Sequence, residues 1–157
     1  YILGATQENS RAVEVGLETL QEIGFSIPLK PTVLQFLMLR SKVERLLKGK
    51  SDQVLMRLPM MADKQKLACM QILNVMFLSG YHTSVKLLLP SLVLHMVRLT
   101  LELGLSSVAP VSFALYGALQ ITFRKFDEGL RFGKLALALL ERHDATEYLP
   151  RVYVVVY

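Results

Sequence analysis

Residues 126–142 read FDEGLRFGKLALALLER. They put Gly129, Gly133 and Ala136 on one side of a helix. Glycine inside a helix costs about 1 kcal/mol relative to alanine. A helix that tolerates two of them in one turn needs a compensating gain, and close approach of a second backbone supplies one. The preceding apolar stretch offers Gly117 and Ala118 at its middle. A short turn at Lys125-Phe126 would join the two as a tight antiparallel hairpin.

The remaining apolar spacing is helical too. Val13, Leu17 and Leu20 repeat at 3.6-type intervals, and Gly24 stops them. Thr32 and Gln35 form a possible capping box for a helix that runs to about Lys48. Its apolar stripe is Phe36, Leu39, Val43, Leu46 and Leu47, with Arg40, Glu44 and Lys48 on the other side. Asp63 caps a third helix, to about Ser79, whose polar side is only Gln71 and Asn74. A fourth spans about Ser84–Leu103, bent at Pro90. Its polar stripe, Ser91, His95, Arg98 and Glu102, is the candidate partner surface. The spacing places a fifth helix over about 110–124, a sixth from the cap Asp127 to about Arg142, and a seventh over about 147–157, after Pro150. The predicted fold is all-α: one domain over residues 1–157, built of antiparallel helical hairpins near 10–23, 32–48, 63–79, 84–103, 110–124, 127–142 and 147–157.

Lys48-Gly49-Lys50-Ser51 resembles the end of a phosphate-binding loop. Such a loop needs a first glycine five positions earlier and a preceding strand. Glu44 occupies that position, where its charge repels phosphate, and the preceding element is a helix. Gly49 sits where a left-handed glycine ends a helix, so the stretch reads as a helix terminus.

Other chemistry is sparse. His82, His95 and His143 are scattered, with no second His or Cys at ligand spacing. Cys69 is the single cysteine, which excludes an internal disulfide. No Gly-x-Ser-x-Gly elbow is present. The expectation is a non-catalytic chain with no cofactor and no metal. The net charge is +5, but the densest basic run, Arg40 to Lys50, has no interleaved aromatic, so nucleic acid is not expected as a partner. The 21 residues from Leu103 to Phe123 lack a formal charge, yet the helix startable at Pro110 reaches only about 20 Å. A span needs about 30 Å, so no membrane partner is expected either. With no signal peptide visible, the expected compartment is the cytoplasm. The chain starts at Tyr1 and closes on the uncapped run Val154-Val155-Val156-Tyr157. The expectation is a segment cut from a longer protein at both ends.

The hairpin formed by the helices near 110–124 and 127–142 resembles a tetratricopeptide repeat. Phe113 falls at the repeat's large aromatic, Gly117 at its first small position, Phe126 at the turn aromatic, Gly129 and Ala136 at the second and third small positions. Gly133 stands where the repeat has an aromatic, and Glu141 where it has the closing proline. Three further landmarks, LETLQEIGFSIPLKPT, LPMMADKQKLACMQIL and RFGKLALALLERHDATE, resemble the helical region that follows the AAA/STAND-type ATPase module of large signalling kinases. These include hybrid histidine kinases and Ser/Thr kinases with GAF sensors. The resemblance spans Leu17 to Glu147. It implies a TPR-like scaffold or relay segment whose partners are neighbouring domains of the same chain, with a protein or peptide as a further possible partner. The ATPase would lie before it, and no catalytic residue of the family maps onto it. The rival readings are a free-standing peptide-binding module, and a small all-α enzyme whose mark would be perturbed titratable groups in a cleft.

Overall fold

A computed structural model describes residues 2–143 and 149–157. Eight helices form among them: α1 (Ile2–Glu22), α2 (Val33–Leu47), α3 (Asp52–Met56), α4 (Lys64–Gly80), α5 (Leu88–Leu103), α6 (Ala109–Thr122), α7 (Phe126–His143) and α8 (Leu149–Val156). The chain is all-α. The one β-type pairing among the described residues is an isolated parallel bridge between Met60 and Leu105.

Local chemistry sets the boundaries. Thr32 and Gln35 form a reciprocal capping box at the start of α2: the Gln35 amide donates to Thr32 Oγ1 at 3.1 Å, and the Thr32 amide to Gln35 Oε1 at 2.9 Å. Asp63 Oδ1 accepts from the Gln65 and Lys66 amides at the start of α4. Gly24 and Gly49 take φ of +85° and +76° just beyond α1 and α2, the left-handed backbone that lets a helix end without a Cβ clash.

Five expectations need correction. The first helix begins at Ile2, not near residue 10. The fourth begins at Leu88, so Pro90 lies in its first turn, where an intrahelical donor is not needed and no bend is required. Asp127 is inside α7 rather than its cap, because the helix already begins at Phe126, two residues after Arg124 takes φ +61° in the turn. The short α3 lies in a stretch read as having no helix; Ser51 Oγ caps it by accepting from the Val54 amide. Asn74, read as part of the polar side of α4, is buried and accepts a hydrogen bond from Arg151, whereas Val75 and Leu78 of that helix are exposed.

Packing follows the chain from α4 through α5, α6 and α7 to α8, with α1 added on α4 and α2 on α5. α5 is the hub: it packs against α4, α2 and α6, and Leu88, Leu92, Leu94, Met96 and Val97 on it are fully buried. At the α6–α7 seam Phe113 and Phe132 stack at 5.9 Å, and Tyr116 meets Phe132 edge-on at 4.8 Å. Each such ring buries on the order of 150–250 Å². Among the described residues no helix is long and apolar enough to cross a membrane.

Candidate functional site

The small residues of the α6–α7 hairpin define its spacing. A Cβ on Gly117 would lie 2.9 Å from the Gly129 carbonyl oxygen and 3.3 Å from the Gly133 nitrogen. Both contacts are with backbone, which cannot rotate away. Gly129 sits under the Ile121 side chain. Gly133 has a second neighbour: a Cβ there would meet Val156 of α8 at 3.3 Å. Ala136 is fully buried. The glycines therefore serve a three-helix junction, α6–α7–α8, rather than the hairpin alone.

The polar stripe on α5 is divided by its surroundings. Ser91 is 2% exposed, His95 and Arg98 are half-buried, and Glu102 is exposed. Ser91, His95 and Arg98 face α2 across a cleft of about 310 Å³, whose other lining residues include Pro28, Pro31, Gln35, Met38, Leu39, Lys42 and Arg45. Glu102 stands outside the lining and pairs with Lys42 at 3.0 Å and Arg98 at 3.8 Å. Arg98 also lies over the Phe25 ring at 5.3 Å, and His95 meets that ring edge-on at 5.5 Å.

Among the described residues, three buried polar atoms in this wall have no hydrogen-bond partner: Ser91 Oγ, His95 Nδ1 and Arg98 Nε, the last being the atom 3.8 Å from Glu102. Burial pushes the His95 imidazole down to about 3, and the positive charges of Arg98 and Lys42 push the same way. The ring is therefore neutral at ordinary pH. Ser91 and His95 do not form a nucleophile–base pair, because the hydroxyl and Nδ1 are not hydrogen-bonded to each other and no carboxylate orients the ring. What the wall offers is hydrogen-bonding capacity behind a basic rim.

Lys48-Gly49-Lys50-Ser51 ends one helix and starts the next. The Lys48 amide donates back to the Glu44 and Arg45 carbonyls, and Lys50 Nζ donates to the Leu46 carbonyl at 2.7 Å. Arg131 of α7 then fastens the turn from outside: Nη2 donates to the Lys50 carbonyl at 2.8 Å and Nε to Asp52 Oδ1 at 2.7 Å. Glu44, in the position a phosphate loop gives to glycine, bridges Arg40 and Lys125. Among the described residues no group of His, Cys, Asp and Glu is placed to hold a metal ion.

Two surfaces escaped the sequence reading. Val33, Leu34, Leu37 and Met38 make an exposed apolar stripe on α2. The signal was present: apolar residues at i, i+1, i+4 and i+5 form a second stripe, opposite Phe36 and Val43. The other is an apolar groove of about 590 Å³ between α1 and α4, lined by Val15, Gly16, Ile72 and Val75 among others. It depends on which helices meet, which periodicity does not encode. Comparisons with family models, curated proteins and solved structures returned no match to this chain.

Proposed function

We propose that the chain is a non-catalytic, TPR-like helical segment that acts as a scaffold or relay between neighbouring domains of a multidomain signalling protein. The resemblance to the helical region behind an ATPase module in signalling kinases motivates the setting. The observation that carries the reading is exposed apolar surface at both ends of the packing order. At one end, Val15 and Val75 flank the α1–α4 groove; at the other, Phe126 and Leu130 of α7 lie with Tyr153, Val154 and Tyr157 near the chain end. Stacked helical units each contact mainly their neighbours and leave such faces for the next unit to cover.

Light scattering of the chain over a concentration series tests this. The expected result is self-association that rises with concentration and is suppressed by Leu130→Lys together with Val154→Lys. A monodisperse monomer at high concentration would overturn the reading. The exposed α2 stripe favours a second reading, a module that docks a peptide partner, in which Leu34→Lys rather than Val154→Lys removes the interaction.

A further inference from the structure

The cleft between α2 and α5 has the parts of a ligand site, independently of any relay role. Its lining is graded along α2. Pro31 directly precedes the helix cap, Gln35, Met38 and Leu39 follow, and Lys42 and Arg45 close the far end. From Gln35 to Arg45 the helix advances about 15 Å. One end is thus walled by Pro28, Pro31, Met38 and Leu39, and the other carries Lys42, Arg45 and Arg98. Glu102 offsets Lys42 and Arg98, while Arg45 has no ion-pair partner among the described residues.

The volume of about 310 Å³ lies at the small end of the range for small-molecule pockets. Most buried polar side-chain atoms in proteins have a hydrogen-bond partner. Here, among the described residues, three on successive turns of one helix do not, and Ser91, which carries one of them, is only 2% exposed. An apolar slot with Lys42, Arg45 and Arg98 at one end fits a ligand with an apolar body and a negative head.

We propose that this cleft binds a small anionic amphiphile, a medium-chain carboxylate, with the carboxylate at Lys42, Arg45 and Arg98 and the chain against Met38, Leu39, Pro28 and Pro31. An extended eight-carbon acid fits within the length of about 15 Å. The neutral state of His95 keeps the apolar stretch of the slot uncharged. The charge at the rim selects the sign of the head group, and added salt weakens that selection.

Octanoate is the probe, with octylammonium and octanol as chain-matched controls. Calorimetric titration and amide chemical shifts would be followed on the intact chain. The expected result is saturable, single-site octanoate binding that shifts the amides of α2 and α5. Octanol should bind more weakly and octylammonium should not bind. Lys42→Gln with Arg45→Gln should weaken octanoate by about tenfold or more, with the helical circular dichroism unchanged. Lys134→Gln, on exposed α7 surface, should leave it unaffected. Three results would overturn the proposal: no saturable octanoate binding, octylammonium binding as tightly as octanoate, or unchanged octanoate affinity in the folded double variant.

Discussion

Gly117 and Gly129 are reciprocal: a Cβ on either would lie 2.9 Å from the carbonyl oxygen of the other. Neither position can take a side chain unless α6 and α7 move apart, and moving them disturbs the Phe113–Phe132 stack beneath.

Gly117→Ala should therefore destabilise the chain. Intrinsic helix propensity favours alanine by up to about 1 kcal/mol, while overpacking against a rigid neighbour costs about 1–3 kcal/mol. The net expectation is a loss of up to about 2 kcal/mol by urea denaturation. Gly4→Ala in α1, with nothing within 4 Å of the new Cβ, is the matched control and should be neutral or stabilising.

Gly133 behaves differently because its nearest neighbour is a side chain of α8. Gly133→Leu should cost about 1–3 kcal/mol, and Val156→Ala should recover part of that loss. Lys134→Leu, one residue on and exposed, should change little. Thermal denaturation of the single and double variants reads the coupling. Additive effects would mean that the leucine meets α6 rather than α8.

Acid should weaken the fold through His95. In the unfolded chain the imidazole takes up a proton below its ordinary value of 6.5, whereas in the folded chain it does so only near 3. The unfolded state thus binds more protons between these values, and stability falls as pH drops through that window. Above it His95 has no effect. By pH 4.5 the loss is about 2–3 kcal/mol. His95→Leu cannot be protonated, so its stability relative to the parent should rise by that amount between pH 7 and pH 4.5. An unchanged difference in urea titrations at the two pH values would show that His95 is protonated in the folded chain.

ATP should not bind at Lys48-Gly49-Lys50-Ser51. The Lys50 amide is already committed to the Leu47 carbonyl and its ammonium group to Leu46, and Glu44 faces the turn. Calorimetric titration with Mg-ATP should give no saturable heat. Micromolar binding abolished by Lys50→Ala would contradict this.

The helix ends were legible where a side chain or a glycine marks them locally. Thr32, Asp63, Gly24 and Gly49 each act within a few residues of themselves, and such chemistry can be read from a string. α3 was not legible: five residues are too few to display a period, and its anchor, Arg131 on Asp52, comes from far along the chain. Pro90 was misread because its meaning depends on where the helix starts, and no side-chain cap marks that start. The stripe Ser91–His95–Arg98–Glu102 was visible as a stripe. That α2 covers three of its four residues was not, because α2 and α5 are brought together by packing and not by adjacency.

The bridge beside Gly104 carries a kinetic consequence. The Met61 amide donates to the Leu105 carbonyl at 2.7 Å, and the Leu105 amide to the Pro59 carbonyl at 2.8 Å. Gly104, at φ +115°, presses so close on the Pro59 carbonyl that no side chain fits. All of α4 and α5 lies between these two anchor points. The pair of bonds works as a drawstring at the mouth of a long loop, and those helices can leave the core only after it opens. The Met61 and Leu105 amides should accordingly exchange with solvent deuterium at one common rate, no slower than that of the core amides of α4 and α5, whose release must follow the opening of the bridge.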